Sequence, residues 1–190
     1  MSRRLATFSR HLSISSKASS SPDMFGAIKS KLGYENLPAD AGNKSFYDLK
    51  AQLPGQDKYL DFSTLKGKVV LIVNTASKCG FTPQLYKDYH DRGFEVIGFP
   101  SNEFNGQEPG NDEQIAEFCQ SKVNGPDMNE VFAWLKSQNA PGAGGVAGTT
   151  SIKWNFTKFL VDKNGKLVDR FGSTTTPASI APKIEKLLNA

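Results

Sequence analysis

At 190 residues the chain is one domain with appendages, long enough to bury a substantial core. Its net charge of +4 belongs to its first segment: residues 1–22 hold Arg3, Arg4, Arg10 and Lys17 with no acid, so the rest of the chain balances to zero. A neutral body with no basic or aromatic stripe excludes nucleic acid as a partner, no apolar run is long enough for membrane insertion, and two cysteines are too few for a disulfide scaffold.

Residues 1–17 are rich in Arg and Ser and place Leu5, Phe8 and Leu12 at helical spacing, as organellar transit peptides do. Arg10-His11-Leu12-Ser13-Ile14-Ser15 resembles the Arg-x-hydrophobic-x-x-Ser pattern of two-step mitochondrial presequence processing. Residues 1–22 are therefore expected to address the chain to the mitochondrial matrix. A merely disordered basic tail is the alternative, and Met24 could start a shorter cytoplasmic form. Residues 23–44, punctuated by Gly33, Pro38 and Gly42, predict a mostly disordered linker with at most one short helix around Met24 to Leu32.

The globular domain is expected over residues 45–190. Phe46–Leu49 and Asp57–Phe62 predict short strands around a Pro54-Gly55 turn, and the unbroken apolar run Val69–Val73 predicts a central parallel strand. A helix follows over Thr82–Asp91, then a buried strand over Phe94–Phe99, and Asn111-Asp112-Glu113 caps another helix carrying Cys119 on its apolar face. Val131–Gln138 is helical. Phe156–Val161 and Lys166–Phe171 form a hairpin about Asn164-Gly165, and Ile180–Leu188 closes the chain as a helix. The glycine-rich stretch Pro141–Gly148 has no strand before it and no Gly-Lys-Ser/Thr after it, so it reads as a loop and not a phosphate cradle. This order predicts an α/β fold with a central mixed sheet flanked by helices.

Cys79 follows the central strand and precedes a helix, where unpaired amides carry partial positive charge, and Lys78 adds a full one beside the sulfur. Those causes favour the thiolate and make Cys79 a candidate nucleophile; a buried inert thiol is the competing reading. The segments Asn74-Thr-Ala-Ser-Lys-Cys-Gly-Phe-Thr-Pro-Gln84, Gly98-Phe-Pro-Ser-Asn-Glu-Phe-Asn-Gly-Gln-Glu-Pro-Gly110 and Lys153-Trp-Asn-Phe156 resemble, in order, three signatures of the glutathione peroxidase family. Cysteine at position 79 and a second in Phe118-Cys119-Gln120 place the resemblance in the thioredoxin-dependent, phospholipid hydroperoxide type branch.

The resemblance implies a thioredoxin-like fold and a thiol peroxidase acting on hydrogen peroxide and organic or lipid hydroperoxides, with no cofactor and no metal. It implies that Cys79 attacks the peroxide, that Gln107, Trp154 and Asn155 surround its sulfur, and that Cys119 resolves the sulfenic acid for recycling by thioredoxin or glutathione. Neutral donors suit this chemistry, because they stabilise thiolate and leaving oxygen without protonating the nucleophile. Read alone, Trp154 would be a core aromatic, Asn155 a turn residue and Cys119 a core thiol. His90 is expected on the solvated side of its helix and outside the chemistry. No long insertion lies between Val131 and Trp154, which the tetrameric branch uses for subunit contacts, so a monomer is expected.

The chain also departs from the pattern. The segments after Cys79 and after Cys119 are shorter than in relatives, by about six and about a dozen residues on an approximate alignment. Position 101, a cysteine in many relatives, is Ser, and Glu103 replaces a glutamine, a carboxylate that could raise the thiol pKa. Two further readings therefore stand beside the peroxidase: a redox relay passing a disulfide to a protein partner, and a degenerate non-enzymatic product of a shortened gene.

Overall fold

The computed structural model describes residues 35–53, 57–76, 82–104, 121–138 and 150–190. The leader, the helix expected near Met24, the helix expected after Asn111 and the 141–148 loop lie outside the described residues.

A small antiparallel hairpin, β1 (Lys50–Gln52) with β2 (Tyr59–Asp61), precedes a four-stranded mixed sheet. The sheet comprises β3 (Val69–Thr75), β4 (Phe94–Pro100), β5 (Lys158–Val161) and β6 (Leu167–Phe171), in the order β4-β3-β5-β6. β4 runs parallel to β3, whereas β5 pairs antiparallel with both β3 and β6. Among the described residues, the helices α1 (Thr82–Tyr89), α2 (Glu130–Ser137) and α3 (Pro177–Leu188) pack on its two faces.

The unbroken apolar character of β3 follows from its place. Val70 and Ile72 point into a core with Phe46, Phe62, Phe132, Leu135 and Phe159, while Val69, Leu71 and Val73 point into a second core with Leu85, Phe94, Ile180 and Ile184. Alternate residues of a strand face opposite sides, so a strand covered on both must be apolar throughout. β3 ends two residues later than the sequence predicts, because Asn74 and Thr75 continue the ladder opposite Phe99 and Pro100.

Three expectations are corrected. Phe46–Asp48 is a 3-10 turn and not a strand: Ser45 caps it and the Asp48 carboxylate accepts from the Ser45 amide, and this capping box turns the chain before β1 begins. The last helix starts at Pro177, where the missing N–H costs nothing in the first turn. β5 begins at Lys158 and not at Phe156, and the loop to β6 carries the expected Asn164-Gly165 turn. Only Gly165 has positive φ, at 75°, and Asp162 holds the loop through Oδ1 to the amides of Asn164 and Lys166. A Cβ at Gly165 would stand 2.9 Å from the Tyr47 ring, so glycine is required twice over.

The predicted linker contributes to the domain. Lys136, at the end of α2, has a side chain with no solvent exposure, and it pairs with the Glu35 carboxylate while donating to Val123 O at 2.5 Å and to Asn124 Oδ1 at 3.0 Å. Glu35 Oε1 in turn accepts from the Gly125 amide at 2.9 Å. Burial lowers the Lys136 pKa, and the Glu35 carboxylate opposes that shift. Trp134 Nε1 donates to Lys44 O at 2.8 Å, so residues 35–44 are tied to α2 at both ends, and the boundary expected at Ser45 leaves out Glu35. Lys136→Met should cost about 3–5 kcal/mol, because it strands the largely buried Glu35 carboxylate and takes the ammonium from Val123 O. Urea unfolding measures this, and a loss under about 1 kcal/mol would show that the pair does not hold the segment.

Candidate active site

Because β3 and β4 are parallel, their carboxyl ends share one edge of the sheet, and the third sequence signature returns to that edge. Asn74, fully buried, makes the connection. Its Nδ2 donates to Trp154 O at 3.2 Å and its Oδ1 accepts from the Thr157 amide at 2.9 Å. Its backbone adds two bonds: the Phe156 amide donates to Asn74 O at 2.8 Å, and the Asn74 amide donates to Thr157 O at 3.3 Å. Phe156 sits in the left-handed region at φ 61°, a conformation a β-carbon makes costly. The turn puts its first two residues in contrasting settings. Trp154 is 42% exposed, beside the Phe104 ring at 6.2 Å, whereas Asn155 is 1% exposed.

The neighbouring backbone is pinned to the same edge. The Ser101 amide donates to Thr75 O at 3.0 Å, and the Ser121 amide donates to Pro100 O at 2.8 Å. Ser101 itself is buried, and among the described residues its hydroxyl has no hydrogen-bond partner. Upstream of Trp154, Arg170 donates to Thr150 O and Ser151 O, and Asn124 takes both the amide and the carbonyl of Ile152. Burial lowers the Arg170 pKa to about 10, and the guanidinium also lies over the Phe159 ring at 5.3 Å.

Trp154 and Asn155 are thus brought together at this edge, while Cys79, Gln107 and Cys119, with Ser77, Lys78, Gly80 and Phe81, lie outside the described residues. Trp154 is not a core aromatic; its exposed ring contradicts that reading. His90 belongs to a 3-10 turn at the start of β4, stacked on Tyr86 and 3.9 Å from Glu95, at the opposite end of the sheet. Seven residues of strand separate it from the edge that carries Trp154, about 20 Å at the usual rise. Among the described residues no group of three His, Cys, Asp or Glu could hold a metal.

A cavity of about 70 Å³, with room for a few waters, lies beneath Phe156 and is lined by Leu71, Val73, Leu85, Lys158 and Ile180. The Lys158 ammonium is engaged by the carbonyls of Gly172, Ser173 and Thr175, on the side of the cavity that the 173–176 segment closes.

Glu103 is engaged in a turn among the described residues, while Cys79, whose pKa it is expected to raise, lies outside them. Its Oε1 accepts from the amides of Val123 and Asn124 at 2.7 and 3.2 Å, and its Oε2 accepts from Asn124 Nδ2 at 2.9 Å. The charge is directed onto the 123–124 turn. Glu103→Gln should therefore leave the pH midpoint of Cys79 alkylation unchanged and lower stability by about 1–2 kcal/mol, since an amide would meet Asn124 Nδ2 donor to donor. A midpoint displaced toward lower pH would return Glu103 to the thiol's surroundings.

Sequence reasoning passed over Asn74, Asn124 and Arg170. A carboxamide closing a run of five apolar strand residues was the available signal for Asn74; nothing local marks the other two, whose partners are distant in the chain.

The glutathione peroxidase family model matches residues 46–136. Glutathione peroxidase-like peroxiredoxin 2 of Saccharomyces cerevisiae is 51% identical over 163 residues, covering 76% of this chain and 98% of that protein. Glutathione peroxidase-like peroxiredoxin GPX5 of Chlamydomonas reinhardtii is 52% identical over 167 residues, covering 78% and 99%. Among solved structures, Trgpx in its apo form superposes with a TM-score of 0.64 at 38% identity, over 77% of this chain and 97% of that one. Coverage of 76% of 190 residues is about 144, so about 19 of the 163 positions aligned with the yeast protein have no counterpart here. That total matches the two shortened segments.

Proposed function

Because this chain belongs to the glutathione peroxidase family, and is a peroxidase on that ground, we propose that it reduces hydrogen peroxide and organic or lipid hydroperoxides at Cys79 and is recycled by thioredoxin. The Cys79 thiolate attacks one peroxide oxygen and the O–O bond breaks. Sulfur is oxidised to sulfenic acid, and the other oxygen leaves as alcohol or water after taking up a proton. The Trp154 indole N–H and the amides of Asn155 and Gln107 donate to the thiolate and to the departing oxygen. The Cys119 thiol then condenses with the sulfenic acid, releasing water and forming a disulfide, which a thioredoxin dithiol reduces by exchange.

The observation that carries this reading is the gathering of chain segments at one sheet edge. There Asn74 anchors Trp154 and Asn155, Thr75 and Ala76 lead toward Cys79, and Ser121, two residues after Cys119, is bonded to Pro100. An attacking thiol, its donors and a resolving thiol have to meet within a few ångströms, and these are the described residues next to each of them. The relay and the non-enzymatic product have no observation of this kind. A monomer in the mitochondrial matrix, with residues 1–22 removed on import, completes the proposal.

The full chain is tested for peroxide consumption with thioredoxin or glutathione as sole electron donor. Steady turnover with thioredoxin is expected; Cys79→Ser should abolish it, Cys119→Ser should halt it after one equivalent of peroxide, and Trp154→Phe should slow it about 10²-fold. Turnover retained by Cys79→Ser would overturn the assignment. For the address, isolated mitochondria should convert the chain to a shorter, protease-protected form; a full-length, protease-sensitive product would refute the matrix.

A further inference from the structure

We propose that Asn74 is a positioning residue for peroxide reduction: its buried carboxamide fixes the turn that presents Trp154 and Asn155, without touching substrate itself. The inference rests on the donor roles given to those two residues above.

Asparagine is an unfavourable choice inside a sheet, and a buried carboxamide must find partners or lose the full desolvation cost. Both ends of the Asn74 side chain are directed at one turn. Nδ2 takes the carbonyl of Trp154, the first residue of the turn, and Oδ1 takes the amide of Thr157, the last. Together with the Asn74 backbone, one residue makes four hydrogen bonds to a four-residue segment. A second, independent feature points the same way. Phe156, inside that segment, is held at φ 61°, a strained conformation that persists only where its surroundings over-determine it.

The consequence falls on the indole. Trp154 is 42% exposed, and its ring neighbour among the described residues is Phe104 at 6.2 Å, so core packing does not set its direction. What sets it is the backbone of the turn, which Asn74 holds. Asn74 is also five residues before Cys79 in the sequence, so the residue that grips the donors is close in the chain to the sulfur. Misplacing a donor by about 1 Å costs of the order of 10²-fold in rate, and a rigid clamp at this point removes that freedom.

The test is a double-mutant cycle in the full chain, reading kcat/KM for hydrogen peroxide with saturating thioredoxin. Asn74→Ala should lower kcat/KM at least tenfold in the unmutated background and by a clearly smaller factor in Trp154→Phe, where the Asn155 donor is all that it still positions. Equal losses in both backgrounds would show that Asn74 serves only the fold, and no loss in either would show that the turn keeps its shape without the carboxamide; each overturns the inference. A Trp154→Phe variant as fast as the unmutated enzyme would instead overturn the donor role of Trp154 proposed above. Asn74→Thr, strand-favouring and too short to reach both partners, replaces the alanine if that variant fails to fold. In the unmutated chain, amide hydrogen exchange measures the clamp directly: the Asn74 side-chain protons and the Thr157 amide should be protected, and exchange at the rate of an open turn would overturn the proposal.

Discussion

A polar group taken out of water at the end of an apolar strand is the constraint on which the candidate site depends. β3 runs between two cores and has no solvent on either face, so Asn74 has to satisfy its carboxamide within the protein. The segment that meets this demand is Trp154–Thr157, which is far away in sequence. The same hydrogen bonds that make Asn74 tolerable therefore bring the third signature to the carboxyl edge of the sheet. Stability of the strand end and placement of the proposed donors are one physical fact.

The chain loses about 19 positions relative to its yeast relative, yet the sheet edge is closed by ordinary means. Ser121 bonds to Pro100, and Glu103 takes the amides of Val123 and Asn124, so the backbone from Ser121 onward is tied to the end of β4. Asn124 then passes the connection to Ile152, and Lys136 passes it to Glu35. This network is partly buried and contains one cation with no exposure, an arrangement tolerated only when that cation's demands are met. It connects the start of the described chain to the segment that precedes Trp154. The loop bearing the indole is thus held from both sides, by Asn124 and Arg170 before it and by Asn74 after it.

Much of this was legible in the residues themselves. The five-residue apolar run marked β3, because only a strand buried on both faces needs no polar alternation, and Asn164-Gly165 marked a turn, because glycine supplies the positive φ. Three spaced signatures identified the family, and the relatives found at about half identity agree with it. Less legible was anything that depends on a distant partner. The Phe46–Asp48 segment has strand-like residues, but Ser45 and Asp48 reciprocally cap it into a 3-10 turn. Glu103 reads locally as a charge in a polar loop, and only the fold shows that its oxygens are taken by a turn twenty residues away.

The sequence by itself determined the family and the succession β3, α1, β4, α2, β5, β6 and α3, since these follow from local periodicity, residue type and spacing. The tertiary structure alone decided that Trp154 is presented to solvent while Asn155 is buried, that His90 stands at the wrong end of the sheet, and that Glu35 belongs to the domain. Each of those depends on which distant groups satisfy a buried hydrogen-bonding demand. That demand is created only when the chain folds and removes the groups from water.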